Sequence, residues 1–141
     1  MSAVDLALPR LQTEEGFRAT VYKDSRGFET IGYGFNIAAG ISKRAATALL
    51  AEQIQECHEQ LTRYAWYASC NPVRQSVLID LAFNDGISGL LGYINMIAAI
   101  SKANWPEARV QLLDSDAARE DPNRYGPLAQ LLLTGAAQPS T

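Results

Sequence analysis

The sequence predicts a mainly helical α+β fold in one domain, with a small antiparallel β-sheet lobe and a helical lobe joined by a long helix. A chain of 141 residues that is 48% hydrophobic and 19% charged has the size and composition of a single domain with its own core. A short segment rich in aromatic and β-branched residues comes before several segments with apolar residues at helical spacing. Two such lobes leave a groove between them, where we expect a ligand to bind.

The first segment predicts a helix that ends in a carboxylate. Val4, Leu8, Leu11 and Glu15 follow one another at spacings of 4, 3 and 4, so they share one helical face. Gly16 is a natural end to this helix. Its first residue stays open, because Pro9 falls within the first turns.

Residues 16–41 predict the β lobe. Residues 20–22 and 28–35 have the composition of strands, and residues 23–27 have that of a turn. If the second strand is continuous, Thr30, Gly32 and Gly34 lie on one face, which is bare beyond Thr30. Glycine in a strand often marks the close approach of a ligand, so we expect a flat ring to lie against this face.

The remainder of the chain predicts helices. Residues 42–67 are expected to connect the lobes, with one long helix over 42–64 that begins at the N-cap Ser42. Pro72 starts the helical lobe of residues 71–134, with further helices near 93–102, 105–113 and 122–133. The last residues, 135–141, are expected to be a disordered tail.

Charge and composition disfavour several functional classes. Twelve Lys and Arg against 15 Asp and Glu give a net charge of -3 without a basic block, which disfavours binding to nucleic acid. Every apolar run is interrupted well before the ~20 residues that a membrane-spanning helix needs, so we expect no insertion into a membrane. The first residues lack the charged and apolar regions of a secretory signal, so we expect no cleaved signal peptide.

Cysteine and histidine are too few for a structural metal site of common spacing, and no phosphate-binding or dinucleotide-binding motif is present, so we expect no metal and no cofactor. Cys57 and Cys70 are left with two interpretations. They are either separate thiols, which we favour, or a disulfide formed in an oxidising compartment. His58 lies beside three glutamates on the long helix and is expected to be solvated.

Three side chains have the types and positions that acid–base chemistry needs. Glu15 lies on an apolar helix face, where loss of hydration would favour its neutral form, as a general acid requires. Asp24 lies in a polar turn and is expected to stay ionised, and the Thr30 hydroxyl on the next strand can hold a water molecule. Two carboxylates in different environments are typical of glycosidic-bond hydrolysis.

The segment that carries these residues, EEGFRATVYKDSRGFETIGYG, resembles the active-site segment of the T-even phage-type lysozymes and endolysins of glycoside hydrolase family 24. The family motif is Glu-Gly, then Asp, then Thr-Ile-Gly-x-Gly, and Glu15, Asp24 and Thr30 match its spacing without a gap. Residues 74–108 are similar to the helical lobe of that family, and Pro122-Asn123-Arg124 recurs near its end. Phe35 departs from the motif, since the family has His there.

The resemblance implies a lysozyme-like fold, with the active-site cleft between the lobes. It also implies a muramidase, which cleaves the β-1,4 bond between N-acetylmuramic acid and N-acetylglucosamine of peptidoglycan. By the match, Glu15 is the general acid, and Asp24 and Thr30 position the attacking water in an inverting reaction. Phe83 and Asn84 match positions that line the cleft opposite the sheet. Core packing for Phe83 and the end of a helix at Asn84 are equally compatible with the sequence.

Three alternatives for the function stay open at this point. The first is an endolysin that acts as a monomer, accumulates in the host cytoplasm, and reaches the cell wall in the periplasm once a holin-like pore opens the inner membrane. The second is the same enzyme delivered by a secretion or phage-tail machine as an antibacterial effector, or an inactive cell-wall-binding module. The third, a helical protein-interaction domain, would leave the spacing of Glu15, Asp24 and Thr30 to chance.

Overall fold

The computed structural model describes residues 1–137 of the chain. It divides into two compact units, the first over Met1–Leu49 and the second from Leu50 onward. The first unit contains a helix and a small sheet, and the second is helical. The predicted α+β class, mainly helical with a small antiparallel sheet, is confirmed.

The first unit begins with helix α1 (Ala3–Glu15). Its start is set by a reciprocal cap, because Ser2 Oγ accepts a hydrogen bond from Asp5 N at 3.1 Å and the Asp5 carboxylate accepts one from Ser2 N at 2.8 Å. Pro9 lies inside the helix, which continues through it. The helix ends before Gly16, as the sequence predicts.

The sheet consists of β1 (Arg18–Lys23), β2 (Glu29–Gly32) and β3 (Phe35–Asn36), antiparallel in that order. Tyr22 pairs with Thr30 and Ile31 pairs with Phe35. The prediction of one strand over residues 28–35 is wrong, because the chain turns at Tyr33 and Gly34. Gly32 and Gly34 have φ of 68° and 83°, a backbone conformation that side chains disfavour and that a tight hairpin uses.

A 3₁₀ turn (Ile37–Ala39) leads to helix α2 (Lys43–Leu61), in which the boundary between the units falls. The predicted helix over 42–64 is therefore too long. The chain leaves the helix after Leu61, Tyr64 adopts an extended conformation, and a separate helix α3 (Ala65–Ala68) follows.

Helix α4 (Pro72–Leu91) is capped by Asn71, whose Oδ1 accepts a hydrogen bond from Arg74 N at 3.0 Å. It is kinked at Gly86, which has non-helical φ of 79° and ψ of 164°. The chain continues through α5 (Ile94–Ser101), α6 (Trp105–Leu113), α7 (Asp116–Glu120) and α8 (Pro122–Thr134). Helix α7 is absent from the sequence-based prediction.

The second unit contains the hydrophobic core. Its largest fully buried side chains all come from helices: Leu61, Tyr67, Val77, Leu78, Leu81, Leu90, Met96, Ile100, Leu112, Tyr125 and Leu132. Within Met1–Leu49, all of which the structure describes, Thr30 is the one buried side chain. Among the described residues, the buried apolar side chains therefore all belong to the second unit.

Gly135, the first residue of the predicted disordered tail (residues 135–141), lies against the start of α4, where its carbonyl accepts a hydrogen bond from Asn71 Nδ2 at 2.9 Å. The disorder of the tail stays a prediction. Residues 138–141 lie outside the described part of the chain. Across residues 1–137, no single helix is long and apolar enough to cross a membrane. Among these residues, α4 and α5 are the one pair of helices that would together have the required length and composition, and they are bent by 93° relative to each other.

Candidate functional site

Glu15 lies in the last turn of α1 and lines a cavity of about 390 Å³ in the first unit. One side of the cavity is formed by α1, with residues that lie about one turn and two turns before Glu15. The hairpin between β2 and β3 forms the other side. The lining residues are Leu8, Leu11, Gln12, Glu15, Tyr33 and Gly34. We call this space the Glu15 cavity.

Gly34 leaves room for the Glu15 carboxylate. A Cβ atom at position 34 would lie 3.1 Å from Glu15 Oε2, which is closer than nine in ten real contacts of a Cβ atom, so the carboxylate would have to shift by a few tenths of an ångström. Gly34 also has φ of 83°, which side chains disfavour. The sequence predicts that Gly34 faces a ligand ring, whereas in the structure it faces the carboxylate of the candidate acid.

The surroundings of Glu15 differ from those that the sequence predicts. Helix α1 buries no residue, and Glu15 is exposed, so loss of hydration on a buried apolar face is not observed. Leu8 and Leu11 keep 56% and 47% of their surface exposed and form an apolar wall of the Glu15 cavity. The apolar face of α1 therefore lines the cavity and is not buried in a hydrophobic core.

Asp24 is held by the turn between β1 and β2. Its Oδ1 accepts hydrogen bonds from Arg26 N and Phe28 N, both at 2.9 Å. Such a turn, closed by a side-chain oxygen, is a common use of Asp. One carboxylate oxygen therefore fixes the side chain, and Oδ2 has no protein partner within residues 1–137.

Thr30 is 2% exposed, and its hydroxyl donates a hydrogen bond to Phe28 O at 2.9 Å. The hydroxyl proton is thus engaged in this hydrogen bond, and only the lone pairs of the hydroxyl oxygen are available to a water molecule. This is a narrower role than the sequence predicts for Thr30, because the hydroxyl can accept a hydrogen bond from water but cannot donate one to it while it donates to Phe28 O.

The backbone of Phe28 joins the two residues expected to position water. Its N–H donates to Asp24 Oδ1, and its carbonyl accepts hydrogen bonds from Asp24 N and Thr30 Oγ1, each at 2.9 Å. A single peptide segment therefore sets both side chains. Sequence reasoning missed this link, since a backbone contact leaves no signal in residue types.

Of the remaining candidates, Gly32 has open space where a Cβ would be, with nothing within 4 Å. Phe83 lies on α4 in the second unit and is 50% exposed, so it is not a core residue. Asn84 Nδ2 donates to Tyr125 Oη and to Asp85 Oδ1, both at 3.0 Å, so its amide is already engaged within that unit. Contact of these three residues with a substrate stays a prediction.

Cys57 and Cys70 are separate thiols in the structure, and burial raises the pKa of each. The expectation that His58 is solvated is wrong. His58 Nδ1 forms a hydrogen bond of 2.6 Å with the hydroxyl of the fully buried Tyr67. In the described part of the chain, no three His, Cys, Asp or Glu side chains cluster as metal ligands would.

Two residues of the Glu15 cavity were not predicted. Gln12 and Tyr33 lie close enough for a hydrogen bond of 3.5 Å from Gln12 Nε2 to Tyr33 Oη, and the Tyr33 ring lies 5.5 Å from that of Phe17. The spacing of three residues between Gln12 and Glu15 is a helical signal that could have revealed Gln12. Tyr33 could not be found this way, because a continuous strand would have placed it on the opposite face from Gly34.

Comparison with known proteins identifies the family. The family model described as phage lysozyme matches residues 12–122, so the chain belongs to the phage lysozyme family. The class of protein is thus that of the lysozyme-type hydrolases, and the resemblance seen in the sequence is confirmed.

Two relatives match at low identity. The chain is 22% identical to a protein of Dictyostelium discoideum named probable T4-type lysozyme 1, over 89% of this chain and 92% of that protein. It is 24% identical to the pre-baseplate central spike protein Gp5 of Enterobacteria phage T4, over 89% of this chain but only 27% of that protein. The chain therefore spans about a quarter of the spike protein's length.

Proposed function

We propose that this protein is a peptidoglycan muramidase that hydrolyses the β-1,4 bond between N-acetylmuramic acid and N-acetylglucosamine. The observation that carries the proposal is the Glu15 cavity, in which a carboxylate set over Gly34 meets open space. Asp24 and Thr30, both set by the backbone of Phe28, supply the second carboxylate and a hydroxyl. Membership of the phage lysozyme family supports the same reaction.

The proposed reaction is a single displacement with inversion. Glu15 donates its proton to the glycosidic oxygen, and the bond between that oxygen and the anomeric carbon of the muramic acid breaks. A water molecule held by the free oxygen of Asp24 and the lone pairs of Thr30 attacks the anomeric carbon from the opposite face. Asp24 takes the proton released by that water, and exchange with solvent returns both carboxyl groups to their starting states.

The test compares wild type with Glu15→Gln on permeabilised Gram-negative cells and on purified peptidoglycan. We expect the wild type to clear turbidity and to leave muramic acid at the new reducing ends, and Glu15→Gln to be inactive because an amide is not a proton donor of the required strength. Glu14→Gln is the matched control, since Glu14 is the adjacent glutamate of α1, is exposed and lies outside the cavity. A folded wild type without activity would reject the proposal and indicate a binding module.

The stereochemistry has its own test. Inversion needs the two carboxyl groups roughly 6.5 to 9.5 Å apart, so that a water molecule fits between one of them and the sugar. We expect the first product observed by NMR to be the α-anomer at the muramic acid reducing end. The β-anomer as first product would show that the reaction proceeds with retention.

We also propose that the enzyme serves lysis of a bacterial host, accumulating in the cytoplasm as a monomer until a holin-like pore lets it reach the periplasm. Expression in a Gram-negative host with and without a co-expressed pore tests this role. Lysis only with the pore is expected. Prompt lysis without it would show that the protein reaches the wall by another route.

The similarity to a phage spike protein favours a second candidate, a muramidase that is delivered to its target by a tail or secretion machine. In this case the chain would copurify with components of such a machine or with a dedicated immunity protein. Isolation of the tagged protein from its native host discriminates the two, because an endolysin has no need of either partner.

A further inference from the structure

A cluster of polar side chains surrounds the kink of α4, apart from the three residues that carry the proposed reaction. Asp85 lies directly before the kink at Gly86. Tyr93, at the start of α5, and Tyr125, on α8, each donate a hydrogen bond to Asp85 Oδ2 at 3.4 Å. Asn84 completes the cluster through its side-chain amide. The carboxylate of Asp85 thus ties the end of the first part of α4 to two other helices of the second unit.

Two glycines allow Asp85 to take this position. Gly86 has φ of 79°, which the kink requires and side chains disfavour. A Cβ atom on Gly89 would lie 2.7 Å from Asp85 Cβ, a separation that real Cβ atoms essentially never show. Asp85 therefore lies close against Gly89, which limits where its carboxylate can be.

The orientation of the Asn84 amide follows from its neighbours. One atom of the amide lies 3.0 Å from Asp85 Oδ1, and because a carboxylate only accepts hydrogen bonds, that atom must be the nitrogen. The same nitrogen lies 3.0 Å from Tyr125 Oη, whose own hydrogen is directed to Asp85 Oδ2. The two N–H hydrogens of the amide are therefore used, one on each oxygen. Asn84 is exposed, and within residues 1–137 its Oδ1 has no protein partner.

Asn84 lies in a part of α4 that borders a cavity of the second unit. Phe83, the residue before it, is 50% exposed and lines a cavity of about 340 Å³, to which α2 contributes Gln53 and Glu56. Gly86 lines the same cavity. Residues on both sides of Asn84 in the chain thus face one space, and Asn84 Oδ1 is the hydrogen-bond acceptor that this part of α4 offers to a ligand.

We propose that Asp85 and Tyr125 are positioning residues, which hold the Asn84 amide in one of its two orientations so that Oδ1 accepts a hydrogen bond from the glycan strand. The inference rests on the proposed function, because the ligand is the substrate of that reaction. Without these partners the amide is free to turn by 180° and present N–H groups, which a donor on the substrate cannot use. A side chain ordered in advance lowers the cost of binding, so the loss should fall on substrate affinity and not on the chemical step.

The orientation is tested first by NMR on the whole protein without a ligand. We expect the two side-chain N–H hydrogens of Asn84 to exchange with solvent about tenfold more slowly than those of the exposed Asn123, because each is held in a hydrogen bond. Asp85→Asn and Tyr125→Phe should each release one of them. Equal exchange rates at Asn84 and Asn123 in the wild type would overturn the proposal.

The second measurement separates KM from kcat on soluble glycan strands prepared from peptidoglycan. We expect Asp85→Asn and Tyr125→Phe each to raise KM about three- to tenfold and to leave kcat within about twofold of the wild type. Tyr64→Phe is the matched control, since it removes a hydroxyl from another, partly buried tyrosine of the second unit, and should change neither constant. An unchanged KM in both test variants overturns the positioning role.

An exchange of the two neighbouring residues distinguishes positioning from a general loss of stability. Asn84→Asp alone places two carboxylates side by side and should raise KM most. Combined with Asp85→Asn, it again sets a donor opposite an acceptor and keeps an oxygen at position 84, so KM should return toward that of the wild type. A combined variant that melts like the wild type but has a KM as high as the single variants contradicts the proposal.

Failure of this inference and failure of the proposed function are distinguishable. If the wild type cleaves nothing, dissociation constants of the glycan strands measured by NMR take the place of KM, and it is the hydrolase assignment that fails. If the wild type cleaves peptidoglycan but Asp85→Asn and Tyr125→Phe bind the strands as it does, the positioning role alone fails. Because Tyr125→Phe keeps the buried ring, its result stands even if Asp85→Asn does not fold.

Discussion

Gly34 is the residue on which the geometry of the candidate acid most directly depends. No side chain fits at this position without moving the Glu15 carboxylate, since a Cβ would lie 3.1 Å from Glu15 Oε2. A carboxylate that must give its proton to one particular oxygen is sensitive to such a displacement. The requirement for glycine is thus both conformational and steric.

We expect Gly34→Ala to lower the rate of peptidoglycan clearance, because the Glu15 carboxylate must shift by a few tenths of an ångström and a misplacement of about 1 Å can cost on the order of 100-fold. Gly40→Ala is the control, because Gly40 has nearly the same backbone angle, φ of 82° against 83°, but nothing within 4 Å of its Cβ position. Both substitutions carry the backbone strain, so melting temperatures should fall alike. Equal loss of activity in the two variants would show that strain alone is responsible.

Asp24 combines two roles that substitution can separate. Asp24→Asn retains an oxygen to accept the hydrogen bonds from Arg26 N and Phe28 N, and loses the charge. Asp24→Ala loses both and should lower the free energy of unfolding by about 1 kcal/mol more than Asn does. We expect both variants to be poorly active but only Asp24→Ala to melt earlier, as measured by calorimetry. If Asp24→Asn were as unstable as Asp24→Ala, the charge and not the turn would hold this loop.

At the scale of elements, Arg74 joins three helices of the second unit. Arg74 lies in the first turn of α4. Its Nε donates a hydrogen bond to Leu132 O of α8 at 2.8 Å, and one terminal nitrogen donates to Leu133 O at 2.9 Å. Its guanidinium carbon lies 3.7 Å from the centre of the Trp105 ring on α6. Carbonyl groups in the last turn of a helix have no helical partner, so these contacts satisfy the end of α8. Arg74 thus acts as the C-terminal cap of a helix that is distant in sequence.

Replacing Arg74 by Met keeps much of the apolar stem and removes these interactions. We expect the free energy of unfolding to fall by about 2–4 kcal/mol, from two hydrogen bonds to a charged group and one cation–π contact. Denaturant unfolding followed by circular dichroism measures this. Arg109→Met, on an exposed face of α6, provides the comparison and should change stability little. A similar small effect of Arg74→Met would mean that water replaces the guanidinium at the end of α8.

At the scale of the whole molecule, alkaline pH should destabilise the protein. Burial raises the pKa of both Tyr67 and Tyr93 to about 12, from an ordinary value of about 10. The folded state therefore retains protons that the unfolded state releases, so stability is full below about pH 10 and falls as the pH rises to about 12. Unfolding by urea, followed across this interval, should show a steady loss of stability.

Tyrosinate absorbance provides the second readout. The protein has six tyrosines, and we expect two of them to ionise only near pH 12 or together with unfolding. Tyr93→Phe should reduce both the late absorbance change and the dependence of stability on pH. Ionisation of all the tyrosines near pH 10 in the folded protein would show that the second unit is open to solvent around these rings.

The sequence predicted the order and type of most elements because their signals are local. Apolar spacing revealed α2, α4, α5, α6 and α8, and Asn71-Pro72 located the start of α4. Boundaries were less certain: α2 ends at Leu61 because the chain becomes extended at Tyr64, and no periodic pattern encodes that change. Helix α7 has only five residues, too few for a periodic signal.

The sequence by itself determined the family and the α+β class, and it singled out Glu15, Asp24 and Thr30 as candidates, since these depend on residue types at set spacings along the chain. The tertiary structure decided that Gly34 faces Glu15, that Gln12 and Tyr33 line the same cavity, and that Asp24 and Thr30 share the backbone of Phe28. The physical reason is the hairpin. Left-handed glycines at 32 and 34 reverse the chain within a few residues, and strand alternation alone, which assumes a continuous strand, places Tyr33 on the wrong side.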